Sequence, residues 1–156
     1  MRLLFDLTLR RAEVVGLDRE DLDLESGTLA VLGKGRTQKV RLTLPGPTRE
    51  ALAAWLAARG DGPGPLFRPL DRSGKGDRLS GTGLYRVVRR LGEHAGIQAR
   101  PHGLRHAAVT AALDLTGGDI RAVQKFSRHR DVRVIERYDD NRQDLAGDVA
   151  RRVAAA

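Results

Sequence analysis

The sequence has no cysteine, which removes disulfides, thiol nucleophiles and cysteine-ligated zinc from consideration. Aromatic residues make up only 4%, too few for a surface that holds single-stranded nucleic acid by stacking its bases. No apolar run approaches the ~20 residues of a membrane-spanning helix. The opening segment carries charges at Arg2, Asp6, Arg10 and Arg11, so it lacks the uninterrupted apolar core of a signal peptide. Lysine is scarce as well: only Lys34, Lys39, Lys75 and Lys125 stand among 28 basic residues. A lysine kept against that arginine bias marks a position where its own chemistry matters.

What is present is positive charge. The 28 basic residues against 20 acidic ones leave a formal charge of +8, which favours an anionic partner, nucleic acid first, without separating DNA from RNA. With 156 residues, 40% of them hydrophobic, the chain is long enough for one domain with a real core and short for two.

The pattern of apolar residues predicts a mostly α-helical α+β fold with one small antiparallel hairpin near residues 28–44. Leu4, Leu7, Val14 and Leu17 fall on one face of a helix over residues 3–17. An acidic run at 18–25 closes it. Two β-favouring runs flank Gly33-Lys34-Gly35, with Val40, Leu42 and Leu44 alternating against Arg41 and Thr43. Thr48 can cap a helix over 49–59 whose core stripe is Leu52, Trp55 and Leu56, and Gly60 ends it. Residues 61–76 are rich in glycine and proline and read as a loop anchored by Leu66 and Phe67. A helix over 80–95 has Leu84, Val87, Val88 and Leu91 on its apolar side. Pro101 opens the next helix, Gly117-Gly118 ends it, Asp119 caps a short helix, and another carries Val132 to Tyr138.

Residues 100–140 gather three of the four histidines, His102, His106 and His129, together with Arg105 and Tyr138. Core packing needs none of His102, Arg105, His129 or Tyr138, and these residue types are suited to holding a phosphate and attacking it. With Arg10, Lys34 and His-Gly-Leu-Arg at residues 102–105 upstream of His129 and Tyr138, the series resembles the catalytic domain of the tyrosine recombinase, or phage integrase, family. That domain carries Arg, Lys, His-x-x-Arg, His or Trp, and Tyr in this order. Glu13 and Leu17 stand where the family's first motif has its glutamate and leucine. Nearly all of the chain is covered by the resemblance. The family's separate N-terminal core-binding domain has no counterpart in it, so the expectation is a single, N-terminally truncated catalytic domain over residues 1–156 with a weakened grip on DNA.

The resemblance implies site-specific DNA recombination by cleavage and rejoining of strands, as in an integrase, resolvase or invertase, on double-stranded DNA at the nucleoid in the cytoplasm. Arg10 and Arg105 would clamp the phosphate, and His129 would position it. Tyr138 would form a 3′-phosphotyrosyl bond. His102 would assist proton movement, and Lys34 would protonate the leaving 5′ oxygen. No metal and no cofactor is implied. Arg36, Lys39, Arg86, Arg89, Arg90, Lys125, Arg128 and Arg130 are candidates for further DNA contacts. The tail at 141–156, with Leu145, Val149 and Val153 at helical spacing, is expected to dock in cis or on a neighbour in a homo-oligomer, a tetramer on DNA. Two departures stand out: the family has glycine where this chain has Thr8 and Arg128, and at 128 an arginine in place of a glycine that permits a special backbone angle would strain or shift the His129 loop.

Each residue also has a plainer reading. Arg10 alone reads as a surface arginine paired with Glu13 or Glu20, Lys34 as a solvated turn residue, and Tyr138 as a core tyrosine. The other tyrosine, Tyr85, reads as helix packing. His102 and His106 share a helix face, but the H-E-x-x-H glutamate is missing, which argues against zinc. A non-catalytic DNA-binding remnant of a recombinase is the alternative function.

Overall fold

The computed structural model describes residues 1–69, 78–140 and 145–155. Lys75, part of the glycine- and proline-rich loop and the first residues of the C-terminal tail lie outside them. The chain divides into two compact units, Met1–Ala108 and Val109–Ala156, with the division falling inside one helix.

In the first unit, the expected helix over 3–17 is two helices. α1 spans Arg2–Phe5 and α2 spans Arg11–Val15. Thr8 separates them at φ 49, a conformation that a β-branched residue adopts rarely and that no helix continues through. The chain turns sharply enough for the Leu9 amide to donate back to the Leu3 carbonyl at 2.9 Å. The apolar periodicity still works across the break, because Leu4, Leu7, Val14 and Leu17 are all buried.

A 3-10 turn at Arg19–Asp21 leads into β1 (Leu22–Asp23), then β2 (Thr28–Leu32) and β3 (Lys39–Thr43). The hairpin is therefore the larger part of a three-stranded antiparallel sheet ordered β1-β2-β3. Leu29 faces both Leu22 and Leu42, and Val31 faces Val40. Leu29 and Val31 are fully buried while Val40 is 40% exposed, so β2 rather than β3 supplies the core face. The acidic run had hidden β1.

α3 (Gly46–Arg59) begins one turn early, with Pro47 in its first turn. Thr48 does not cap it. Its hydroxyl donates instead to Asp6, pinning α3 to the end of α1. Trp55 donates its indole N–H to the Leu66 carbonyl at 2.8 Å and lies 5.7 Å from the Phe67 ring. At the end of α3, the buried Arg59 donates to the carbonyls of Gly60, Gly62 and Pro65, tying down the loop that follows. α4 (Gly81–His94) is capped by Ser80, whose oxygen accepts from the Gly83 amide. Buried Gly92 lets the chain fold back: a Cβ there would lie 2.6 Å from the Ala99 Cβ. That close approach fixes where α5 (Pro101–Leu115) starts.

The second unit has its own small core of Val109, Leu113, Val123 and Ile135. α6 (Ile120–Ser127) is capped by Asp119, which accepts from the Ala122 amide at 2.9 Å. α7 (Arg133–Asp140) carries Tyr138, and α8 (Leu145–Ala154) leaves Val149 and Val153 exposed. Among the described residues, no helix is long and apolar enough to cross a membrane.

Candidate active site

Arg10 sits at the start of α2, immediately after the Thr8 turn. Its backbone amide donates to Glu13 Oε2 and its guanidinium to Glu13 Oε1, both at 2.9 Å. Glu13 is buried, whereas the Arg10 side chain keeps 33% of its surface. The plain surface-pair reading therefore underestimates this contact. A buried carboxylate holds one edge of the fork and leaves the rest of an always-charged guanidinium directed outward.

Arg105, one turn into α5, is only 3% exposed. It donates from Nη1 to the Thr8 carbonyl. The left-handed backbone at Thr8 thus does two things: it breaks the first helix and presents a carbonyl to a guanidinium from a distant part of the sequence. Thr8 itself is fully buried, and its hydroxyl donates to the Leu7 carbonyl at 2.7 Å. Glu13 was legible as a partner of Arg10 but not as a buried anchor, and Thr8 was not legible as the carbonyl that accepts from Arg105. The only signal was that Thr8 occupies a position where the family has glycine.

His102 stands at the second position of α5 and is exposed, as is His106. Lys34 lies at the exposed tip between β2 and β3, where the Arg36 amide donates to the Gly33 carbonyl at 3.0 Å and Gly35 takes φ 71. The tip is a tight turn on an exposed hairpin. Of the further basic candidates, Arg36, Arg86 and Arg90 are exposed. Lys39 bonds the buried Asp21 at 2.5 Å, and Arg89 pairs with Glu93 at 3.3 Å. Tyr85, expected to pack, is exposed on α4.

Within the second unit the structure brings His129 and Tyr138 together, with ring centroids 6.3 Å apart. Two hydrogen bonds hold the histidine, and a left-handed turn precedes it. Its Nδ1 lies 2.8 Å from the Ser127 hydroxyl, its carbonyl accepts from Gln124 at 3.3 Å, and Arg128 before it adopts φ 57 as the end of α6. Arg128 is thus a left-handed helix terminus held by an arginine, as the departure from glycine foreshadowed. Ser127 is fully buried, another support that no local pattern announced. Tyr138 packs beside the Val109, Leu113, Val123 and Ile135 cluster, so the core reading and the site reading describe the same side chain. Lys125 and Arg130 are exposed nearby in sequence.

The sequence matches the phage integrase family over residues 1–144. The chain belongs to the phage integrase family. A tyrosine recombinase of Synechocystis sp. is 47% identical to it over 146 residues, 91% of this chain and 47% of that protein. One from Synechococcus elongatus is 41% identical over 159 residues, 99% of this chain and 50% of that protein. This phage integrase family chain spans about half the length of these relatives. It is similar in structure to XerA recombinase, with a TM-score of 0.71 at 29% identity, covering 88% of this chain and 49% of that one. It is also similar to XerH site-specific recombinase bound to palindromic difH substrate in a post-cleavage complex, with a TM-score of 0.73 at 26% identity, covering 95% and 42%. The mostly helical fold with its small antiparallel sheet is the one expected of a tyrosine recombinase catalytic domain.

Proposed function

We propose that this chain cleaves and rejoins DNA strands in site-specific recombination, with Tyr138 as nucleophile. The observation that carries this reading is the pairing of Tyr138 with a histidine, His129, that Ser127 and Gln124 hold in place. A tyrosine serving only the core requires no such partner. Tyr138 Oη attacks the phosphorus and the bond to the 5′ oxygen breaks. The departing oxygen takes a proton and leaves as a 5′ hydroxyl, while the 3′ phosphate stays on the tyrosine. A 5′ hydroxyl of another strand then attacks the phosphotyrosyl bond and frees Tyr138.

Each remaining residue answers a physical difficulty of that step. Nonbridging oxygens repel the nucleophile, and two guanidiniums, Arg10 and Arg105, offset that charge with planar forks. His102 moves the nucleophile's proton, because a neutral tyrosine with a pKa near 10 is a weak nucleophile. His129 hydrogen-bonds a phosphate oxygen. Lys34 protonates the leaving oxygen, a task unsuited to arginine, whose proton is held too tightly. The lysine at an exposed hairpin tip among so many arginines supports that role. Double-stranded DNA is the substrate. Arg36, Arg86, Arg90, Lys125 and Arg130 contact its phosphates, and the C-terminal segment joins copies into a tetramer on DNA.

The test is incubation with a duplex carrying a nick near a candidate site. Release of a fragment with a free 5′ hydroxyl supports the proposal. Binding of the duplex without any strand cleavage supports instead the non-catalytic DNA-binding remnant.

A further inference from the structure

The first unit contains an apolar cleft of about 580 Å3 that none of Arg10, Lys34, His102 or Arg105 lines. Its two long walls are helix faces. α3 contributes Leu52 and Trp55, and α4 contributes Leu84, Val87 and Leu91, residues at the spacing that forms one stripe of a helix. Leu84 is buried beneath the cleft floor, but Val87 is 46% and Leu91 43% exposed. Sequence periodicity assigned both to the core, yet they stand open to solvent.

Apolar faces of two helices lining one cleft form a surface on which a third helix can pack, ridge into groove. The cleft wall also holds a charged group in need of an acceptor. Arg68 lines it, and its Nε is buried without a hydrogen-bond partner, an unfavourable state for a polar donor. Arg68 also acts on the buried Arg59: burial first, and then the neighbouring charge of Arg68, lower the Arg59 pKa. A carboxylate placed against the Arg68 guanidinium offsets that repulsion, which a neutral group does not.

We propose that this cleft binds an amphipathic helix of a partner polypeptide, seating an aliphatic stripe between α3 and α4 and placing an acidic side chain against Arg68. A helix anchors itself in such a groove through residues at i, i+3, i+4 and i+7, and the carboxylate sets its register and selects it over basic helices.

The probe is a synthetic peptide of about 16 residues with leucines at those positions and glutamates beside the stripe. A control has lysines in place of the glutamates. Trp55, the chain's single tryptophan, lies in the wall and reports occupancy through its emission. The expected result is a saturable change with the acidic peptide and about tenfold weaker binding of the basic one. Arg68→Gln abolishes that discrimination while binding persists. Val87→Asp with Leu91→Asp, both at exposed positions, abolishes binding without altering the circular dichroism spectrum. The proposal is overturned by equal binding of the two peptides, by unchanged binding to the Val87→Asp, Leu91→Asp variant, or by no saturable signal. It is equally overturned if sedimentation shows that the peptide-free chain already closes the cleft by self-association.

Discussion

Arg105 and Thr8, remote in sequence, are joined by a hydrogen bond in which the buried guanidinium donates to the Thr8 carbonyl. The bond locks the start of α5 to the turn that delivers Arg10. Arg105→Lys preserves charge but loses the fork, so DNA cleavage falls by about 10²–10³-fold. Arg105→Ala additionally withdraws a donor from a buried carbonyl, at about 1–3 kcal/mol of stability. Single-turnover cleavage and urea unfolding of the two variants separate these effects.

Glu13 holds Arg10 by two hydrogen bonds. Glu13→Gln retains an oxygen for one of them and removes the charge from the other. The expected loss is about 1.5–3 kcal/mol, the range for hydrogen bonds to charged groups. Cleavage should also slow, because Arg10 is no longer aimed by its partner. Normal cleavage kinetics in a Glu13→Gln protein would show that Arg10 needs no such anchor.

Arg128 sits at φ 57, where a non-glycine residue gives up about 1–2 kcal/mol. Arg128→Gly removes that strain and returns about 0.4–1 kcal/mol through the looser unfolded chain. The balance is a gain of about 0.5–1 kcal/mol, read as a higher melting temperature. An unchanged or lower melting temperature means that contacts of the arginine side chain outweigh the strain.

The helix carrying Tyr138 starts behind Asp131, whose carboxylate accepts from the Arg133 amide at 3.0 Å and pairs with its guanidinium. These bonds, the Arg133 side chain first, hold the Asp131 pKa below the usual carboxylate range. A depressed folded-state pKa means that the contribution is complete above the unfolded carboxylate value and is lost as pH falls through the folded one. Acid titration should therefore loosen the α7 start in that low window, seen as a shift of the Arg133 amide resonance. Asp131→Asn should show no such step.

The helices and the hairpin were legible because amphipathic spacing and turn residues survive in short windows, and the order from Arg10 to Tyr138 made the family recognisable. What escaped depends on contacts distant in sequence. Thr8 has no local turn signal, so the break between α1 and α2 was hidden inside a continuous apolar stripe. Thr48 looked like a helix cap because its other partner, Asp6, comes from another element. Glu13 and Ser127 are polar residues buried by neighbours, which composition cannot anticipate. Val87 and Leu91 fit the helical stripe, and only the structure shows that they stand exposed among the described residues.

Strand cleavage by this chain depends on one oxygen, Tyr138 Oη. The purified chain is incubated with a suicide duplex from which the short fragment bearing the free 5′ hydroxyl diffuses away, and protein and DNA are then separated under denaturing conditions. The expected result is a covalent protein–DNA adduct, mapped by mass spectrometry to Tyr138 and absent from Tyr138→Phe. An adduct that survives Tyr138→Phe, or a wild-type chain that binds the duplex and forms none, contradicts it.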